Sequence, residues 1–266
     1  MKHLLTIAGS DSGGGAGIQA DLKTFAALGA YGMSVITAVT AQNTLGVYQV
    51  VEMSREMVKA QIDAIFSDIP VDAVKIGMVS NAEIISQIAS SLIKWEAANV
   101  VVDPVMISKT GYHLLKPEAV EALKNELFPL ATVVTPNIPE TIELVGFNVK
   151  DVEGMERAAR EIHRLGPRSV LIKGGHLGAE ALDLFFDGEK VTRFTVPRLN
   201  KKNTHGTGCT LSSAIAVHLA QGYDLVKAIG KAKDYLTETI ETGLPLGHGV
   251  GPVHHFCRLY KNAGME

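Results

Sequence analysis

The sequence predicts an α/β fold with a mostly parallel central sheet and helices on both faces. Short runs of β-branched and other apolar residues alternate with segments of helical periodicity along the whole chain. Glycine, proline or a polar residue ends nearly every apolar run, which is typical of buried strands leaving a sheet. No linker, repeat or low-complexity tract interrupts this alternation, so we expect a single domain over residues 1–266.

The predicted strands share a short apolar core and an abrupt end. In chain order they cover residues 4–8, 35–40, 47–51, 74–76, 100–102, 133–134 and 170–172. Segments 184–186 and 193–196 flank Asp187 and Gly188, a pair that favours a tight turn. They therefore predict a small antiparallel hairpin at one edge of the sheet.

The predicted helices carry start signals as well as periodicity. Ser54 can cap a helix that runs through residue 66, and Pro117 opens one over residues 117–127. The other periodic segments are 18–28, 83–95, a short stretch after Asn137, 155–165, and two long helices that begin at Gly206 and Asp224.

Composition favours a soluble enzyme and argues against several other classes of protein. A hydrophobic share of 46% can fill a sizeable core, and a formal charge of −3 argues against a nucleic-acid or anionic-membrane surface. Two cysteines cannot build a disulfide framework, which fits a reducing compartment. The apolar run at residues 4–8 is too short for a signal-peptide core, and no run reaches membrane-spanning length. We expect a cytoplasmic protein.

The segment 205–210, His-Gly-Thr-Gly-Cys-Thr, is the most informative part of the chain, because it opens directly into a helix. Its two glycines permit a tight turn, and the free N–H groups of the helix point back into that turn. Such a turn favours an anion, and a thiol there is expected to have a stabilised thiolate. The alternative is a glycine-rich turn under which a small Cys209 merely packs.

Polar residues follow several predicted strands, where ligands bind in open α/β sheets. The glycine run 13–17 also lies there, and it could signal a nucleotide. A dinucleotide site is disfavoured because the next acid after Asp21 is Glu52, and a P-loop would need a Gly-Lys-Ser/Thr sequence that the chain lacks. We favour a loop that lets backbone approach a small ligand, with a flexible loop before a helix as the alternative.

Seven segments together resemble the hydroxymethylpyrimidine/phosphomethylpyrimidine kinases of thiamine biosynthesis, a branch of the ribokinase-like superfamily. The first is Ala-Gly-Ser-Asp-Ser-Gly-Gly-Gly-Ala-Gly, which begins at residue 8 and continues to residue 24. The other six cover residues 40–44, 75–78, 135–140, 173–176, 203–210 and 251–256. The resemblance runs nearly end to end and in order, and it implies a ribokinase-like fold.

The resemblance implies a catalytic role for the turn and for one lysine. Gly206, Thr207, Gly208 and Cys209 would line an anion hole for the transferring phosphoryl group of ATP. Cys209 would take the proton of the substrate's hydroxymethyl group, where most of the superfamily places an aspartate. Lys173 would neutralise phosphate charge, with a surface ion pair as its alternative role.

The resemblance also implies a pyrimidine site. Gln42 is the expected pyrimidine reader, since a carboxamide offers a donor and an acceptor to an aminopyrimidine edge. Its alternative is a turn residue at a strand end. The remaining substrate-binding residues implied are Gly9, Asp21, Met78 and Val105.

ATP chemistry requires Mg²⁺, which prefers a few carboxylates together with water and phosphate oxygens. Glu140 and Asp103, with Asn137, are expected to act on the metal largely through water. The alternative for Asn137 and Glu140 is helix capping. His248, His254 and His255 resemble no common zinc site, and we expect no metal there.

The function expected from this resemblance is phosphorylation of 4-amino-5-hydroxymethyl-2-methylpyrimidine by ATP, followed by phosphorylation of the monophosphate to the diphosphate. The alternatives are a pyridoxal/pyridoxine kinase of the same branch and a non-catalytic pyrimidine-binding regulator. The pyridoxal kinases in question carry a cysteine in the loop that corresponds to residues 106–115, where this chain has none. The resemblance further implies a homodimer, and Thr110 and Gly111 would permit a mobile lid at residues 106–112.

Overall fold

The computed structural model describes residues 1–106, 115, 117–175 and 180–265, and these form one central sheet between two layers of helices. Within these ranges the strand order is β3-β2-β1-β4-β5-β6-β7-β8-β9. The six strands from β2 to β7 in that order run parallel. Strand β3 is antiparallel to β2 at one edge, and β8 and β9 form the antiparallel hairpin at the other.

The strands are β1 His3–Asp11, β2 Tyr31–Gln42, β3 Val47–Glu52, β4 Ala73–Ile76, β5 Val100–Val102, β6 Val133–Val134, β7 Val170–Lys173, β8 Glu180–Phe186 and β9 Val191–Pro197. The helices are α1 Gly17–Ala27, α2 Arg55–Phe66, α3 Ala82–Lys94, α4 Pro117–Ala122, α5 Ile138–Val145, α6 Val152–His163, α7 Thr207–Ala220, α8 Leu225–Glu241 and α9 Cys257–Asn262. A π-helical turn, Leu123–Leu127, and a 3₁₀ turn, Phe128–Leu130, continue α4.

The sheet is buried on both faces because its parallel strands are apolar at consecutive positions. In β1, Leu5 and Ile7 face a core formed with α2, α3, α5 and α6, while Leu4 faces a second core formed with α1, α7 and α8. The same alternation places Val101 of β5 in the second core. Among the described helices, five are capped by a side chain that accepts a hydrogen bond from a backbone N–H of the first turn: Ser54, Asn81, Asn137, Asp151 and Asp224.

The predicted fold class and edge hairpin are confirmed, and three details differ. The prediction placed antiparallel strands at one edge only, whereas β3 adds one at the other edge. Its connection to β2 is too short for the crossover that a parallel pair needs. The two long helices do not end the chain, because α9 follows them. The predicted helix 117–127 changes to π-helical geometry after Ala122.

Residues 107–112 of the proposed lid, including Thr110 and Gly111, and His176 of the segment 173–176 lie outside the described residues. No described helix combines the length and apolarity that a bilayer crossing requires.

Candidate active site

The carboxyl ends of the parallel strands open into one large cleft of about 1300 Å³. It is wide enough for a nucleotide beside a small heterocycle. All the predicted site residues except Asp21 line it: Gly9, Gln42, Met78, Asp103, Val105, Asn137, Glu140, Lys173, Gly206, Thr207, Gly208 and Cys209. The fold therefore gathers residues from distant parts of the sequence onto one surface.

The predicted anion turn, formed by residues 205–210, lies at the N-terminus of α7. Gly206 adopts φ +84°, and a Cβ there would lie 1.8 Å from the carbonyl oxygen of Gly15, so only glycine fits. Thr207 begins the helix, and the first backbone N–H groups of α7 face the turn. A backbone bridge to Pro252 braces the turn from the C-terminal tail, which explains why that tail belongs to the site motifs.

Asp11 joins the glycine loop to this turn. Its carboxylate accepts hydrogen bonds from the N–H groups of Gly13, Gly15 and Ala16, at 2.8, 3.1 and 2.8 Å. The same carboxylate lies 2.9 Å from Nε2 of His205. Burial would raise the pKa of Asp11, but the hydrogen bonds from His205 and the backbone outweigh it and lower the pKa. The glycine run thus allows its own loop and the turn that begins at His205 to approach each other closely.

Cys209 lies in the first turn of α7, and the backbone N–H of Gly17 lies near its sulfur. Burial raises the pKa of the thiol to about 11, although Lys75 and Gly17 oppose the rise. The sequence-based expectation of a stabilised thiolate is therefore wrong for the protein without ligands. The helix N-terminus is outweighed because the sulfur is largely surrounded by protein, beside the carboxylates of Asp21 and Asp103.

Lys173 and Asp103 form a buried ion pair against the turn. Nζ of Lys173 donates to Oδ1 of Asp103 at 2.6 Å, and the Thr135 hydroxyl donates to the same oxygen at 3.1 Å. A Cβ on Gly208 would lie 3.4 Å from Oδ2 of Asp103 and 3.5 Å from Nζ of Lys173. The pair thus lies against the backbone of the anion turn.

The charges of this pair stabilise each other. Burial would lower the pKa of Lys173, but Asp103 and Glu140 outweigh it and raise the pKa. Burial would likewise raise the pKa of Asp103, but Lys173 and Lys75 hold it below its usual range. Lys173 is therefore a fixed positive charge at the cleft and not the surface residue of the alternative reading.

Asn137 and Glu140 form a complete capping box at the start of α5. The Asn137 side chain accepts from the Glu140 N–H at 2.9 Å, and Oε2 of Glu140 accepts from the Asn137 N–H at 2.8 Å. Capping thus accounts for both residues structurally, while both also line the cleft. Burial raises the pKa of Glu140 to about 7, with Lys173 lowering it and Asp103 raising it.

The donor set fits Mg²⁺ held through water and phosphate oxygens better than a protein cage. Asp103 and Glu140 supply two carboxylates at the cleft, which is the small number that Mg²⁺ uses beside a nucleotide. Within the described ranges, no three His, Cys, Asp or Glu side chains come close enough to hold a metal by themselves.

Gln42, which is predicted to recognise the pyrimidine, lies at the glycine-loop end of the cleft. The carboxamide of Gln42 lies 3.4 Å from the Thr40 hydroxyl and 3.4 Å from Nε2 of His205. Gly9 packs against the Met78 sulfur, since a Cβ at Gly9 would lie 3.3 Å from that atom. A polar amide beside an apolar wall is a suitable environment for a small aminated ring.

Asp21 was predicted to bind substrate, and the structure places it elsewhere. It is 0% exposed, with both carboxylate oxygens 2.9 Å from Nζ of Lys75. Thr6 and Ser213 donate to it at 2.6 and 2.7 Å. Asp21 lies four positions after Gly17 on α1. It is therefore one helical turn further along α1, and it is buried beneath the cleft floor.

The sequence gives no specific role to Asp11, His205 or Lys75, although all three lie in the segments that carry the family resemblance. Asp11 lies two positions before the glycine run, and this is a usable signal because its carboxylate can accept hydrogen bonds from the N–H groups of the loop. Lys75 also has a signal in the sequence, because it is a charged residue inside the otherwise apolar strand β4. His205 has no local signal, because its partners lie far away along the chain.

The phosphomethylpyrimidine kinase family model matches residues 11–254. The chain belongs to this family. It is 56% identical over 262 residues to a hydroxymethylpyrimidine/phosphomethylpyrimidine kinase of Rhizobium meliloti, covering 97% of this chain and 98% of the relative. The family prediction is confirmed, and with it the prediction of a kinase.

Two further relatives differ from this chain in length or in the activity for which they are named. A thiamine biosynthesis bifunctional protein of Geobacter sulfurreducens is 57% identical over 253 residues, which are 95% of this chain but only 52% of that protein. An ADP complex of Bacillus subtilis pyridoxal kinase has a TM-score of 0.90 and 41% identity, covering 97% of this chain and 99% of that one.

The close approach at Gly206 predicts a severe defect for Gly206→Ala. Gly222 is a matched control, because its φ is also positive, at +90°, but nothing lies within 4 Å of an added Cβ. Gly222→Ala should cost about 1–2 kcal/mol of unfolding free energy from backbone strain alone. Gly206→Ala should cost more, because the turn must also move away from Gly15. Urea denaturation and kinase assays of both variants test this, and equal losses would contradict it.

Proposed function

We propose that this chain transfers the γ-phosphoryl group of ATP to the hydroxymethyl oxygen of 4-amino-5-hydroxymethyl-2-methylpyrimidine, and then to the resulting monophosphate, in thiamine biosynthesis. One observation carries the proposal. A single cleft joins an amide suited to an aminopyrimidine, Gln42, to an anion turn that carries Cys209, in a chain whose family is that of phosphomethylpyrimidine kinases.

The substrate ring would bind at the Gln42 end of the cleft. The Gln42 carboxamide can accept from the exocyclic amine and donate to the adjacent ring nitrogen. Gly9, Met78 and Val105 line the same part of the protein, and their small or apolar surfaces suit the ring faces and the methyl group. In this arrangement the hydroxymethyl group is directed towards Cys209.

The nucleotide would occupy the other end, near the antiparallel hairpin. There the cleft is lined by the end of β9 and by one face of α8, including Val196, Leu236 and Ile240. Apolar side chains of this kind suit an adenine base. The ADP complex of the B. subtilis relative supports a nucleotide in a protein of this fold.

In the first transfer, the hydroxymethyl oxygen attacks the γ-phosphorus while its proton passes to the Cys209 thiolate. A new P–O bond forms, the bond between the γ-phosphorus and the β–γ bridging oxygen breaks, and ADP leaves with that electron pair. The N–H groups of the turn and the Lys173 ammonium stabilise the charge of the phosphoryl group. Each positioned donor of this kind is worth about 3–4 kcal/mol in the transition state.

Mg²⁺ would be held at Asp103 and Glu140, largely through water, with Asn137 holding Glu140 in place as its cap. When bound, the ion neutralises part of the phosphate charge. Capping by Asn137 keeps the Glu140 carboxylate at the cleft, and Lys173 offsets the charge that this carboxylate gains on ionisation.

Similarity to a pyridoxal kinase makes pyridoxal the competing substrate. Steady-state ATP turnover with hydroxymethylpyrimidine, its monophosphate and pyridoxal, each offered separately, distinguishes them. Turnover with the first two and little with pyridoxal is the expected result. Preference for pyridoxal would reassign the substrate, and no turnover with any of the three would overturn the kinase assignment made here.

Cys209→Ala should impair the two steps unequally. An alcohol must lose a proton as it attacks, whereas the phosphate oxygen of the second step is already anionic. Because the thiol pKa is about 11, the thiolate fraction and the first-step kcat should rise about tenfold per pH unit between pH 7 and 9. The variant should lose this slope and keep most of the second step. Equal losses in both steps would show that Cys209 is not the base.

Glu140→Gln should raise the Mg²⁺ concentration required for half-maximal activity in both steps, because one carboxylate is removed from the metal's surroundings. The amide can still accept the Asn137 N–H, so the capping box is largely kept. Magnesium titrations at saturating ATP measure the effect. An unchanged Mg²⁺ requirement would rule out a role for Glu140 at the metal.

We also propose a homodimer located in the cytoplasm. Four apolar side chains at the β3 edge of the sheet are well exposed, among them Leu45 at 57% and Tyr48 at 66%. A second copy of the chain would cover them. Sedimentation should give a dimer that Tyr48→Asp weakens, and a wild-type monomer would contradict this. The unpaired thiols of Cys209 and Cys257 suit a reducing compartment.

A further inference from the structure

A buried charge cluster lies directly beneath Cys209. Asp21 follows Gly17 by four residues on α1, and Ser213 follows Cys209 by four residues on α7, so each lies one helical turn deeper. Above them, the backbone N–H of Gly17 lies near the Cys209 sulfur. Asp21 and Ser213 meet below, at 2.7 Å between the hydroxyl and Oδ1. The two contacts stack along the same pair of helices.

Lys75 closes this cluster from strand β4. Its side chain is 0% exposed, and its ammonium lies 2.9 Å from both oxygens of Asp21. Gly77 leaves space for that ammonium, because a Cβ at Gly77 would lie 2.7 Å from Nζ. A lysine buried so completely is retained as a cation only when a partner holds it, and Asp21 is that partner.

Four charged groups, each on a different element, act on the Cys209 sulfur. They are Lys75 on β4, Asp21 on α1, Asp103 after β5 and Lys173 on β7. Lys75 acts on the thiol more strongly than Asp21 does, and it lowers the pKa while both aspartates raise it. Because this region is shielded from water, such interactions are weakly screened.

We propose that Lys75, held in place by Asp21, is a positioning residue that supplies the positive charge opposite the Cys209 sulfur and so favours its thiolate during the first phosphoryl transfer. Lys75 does not touch substrate and exchanges no proton in the reaction. The catalytic part of this inference rests on the proposed role of Cys209 as the base.

The test measures the Cys209 thiol directly, in a Cys257→Ser background that removes the other cysteine. Rates of alkylation by iodoacetamide are compared at pH 8 for Lys75→Met, for the charge-neutral double variant Lys75→Met with Asp21→Asn, and for Lys75→Arg. The double variant guards against unfolding, because it leaves no unpaired buried charge. Circular dichroism and thermal melts establish that each variant is folded.

Loss of the charge should slow alkylation, since only the thiolate reacts. We expect Lys75→Met to be about tenfold slower, which corresponds to a one-unit rise in pKa, and the double variant to be about threefold slower. Lys75→Arg keeps the charge and should stay within about twofold of the starting protein. Wild-type reactivity in the double variant, or an equal loss in Lys75→Arg, would overturn the proposal.

A second buried pair provides a matched control. Lys233 on α8 is held by Asp183 on β8, and neither residue is among the charged groups named above as acting on the thiol. The double variant Lys233→Met with Asp183→Asn removes the same charges and should leave Cys209 alkylation unchanged. A loss as large as that of the Lys75 pair would show that any buried pair affects the site through packing alone, and would overturn the proposal.

The two activities separate failure of this inference from failure of the proposed function. The Lys75 variants should lower kcat of the alcohol step in proportion to alkylation, with little change in KM, and spare the phosphate step. Slower alkylation without a matching loss in the alcohol step would overturn the catalytic part of the inference. If alkylation is unchanged while Cys209→Ala abolishes the alcohol step, the base role stands and the role of Lys75 is overturned.

Discussion

The candidate active site depends on the close contact between two glycine-containing loops that are nearly two hundred residues apart in the sequence. Gly206 lies against the carbonyl of Gly15, at a distance that no side chain tolerates. Asp11 fixes the contact because its carboxylate accepts hydrogen bonds from the N–H groups of the glycine loop and pairs with His205. Because one carboxylate holds both loops, the N-termini of α1 and α7 converge on the same point. The anion turn is therefore a product of tertiary contact and not of local sequence alone.

Beneath this junction the protein buries several opposite charges instead of apolar side chains. Lys75 with Asp21, and Lys173 with Asp103, are pairs in which each partner offsets the desolvation of the other. Burying such pairs contributes little net stability, and hydrophobic residues of similar size would serve the fold at least as well. Their placement around one cysteine is instead consistent with a catalytic role, because fixed charges in a water-poor site act strongly on a proton transfer.

The raised pKa of Cys209 shows why a turn motif does not determine reactivity. A helix N-terminus favours a thiolate by a modest amount, whereas enclosure by protein and by the carboxylates of Asp21 and Asp103 disfavours it more. The sign of the shift depends on which charges the fold brings near the sulfur. A cysteine that acted as the base at this position would differ from a carboxylate, because the neighbouring charges largely set the pKa of its thiol.

The sequence by itself determined the order of the strands, the order of the helices up to α8 and the mostly parallel sheet, because these follow from hydrophobic periodicity and from polar residues at strand ends. The resemblance of its motifs to one family also pointed to Gln42, Lys173 and Cys209, and these three residues line the cleft. Only the tertiary structure decided that Asp21 lies under the cleft floor and that burial raises the Cys209 pKa. The physical reason is that periodicity reports which face of an element is buried, whereas desolvation and ion pairing depend on groups that meet only after folding.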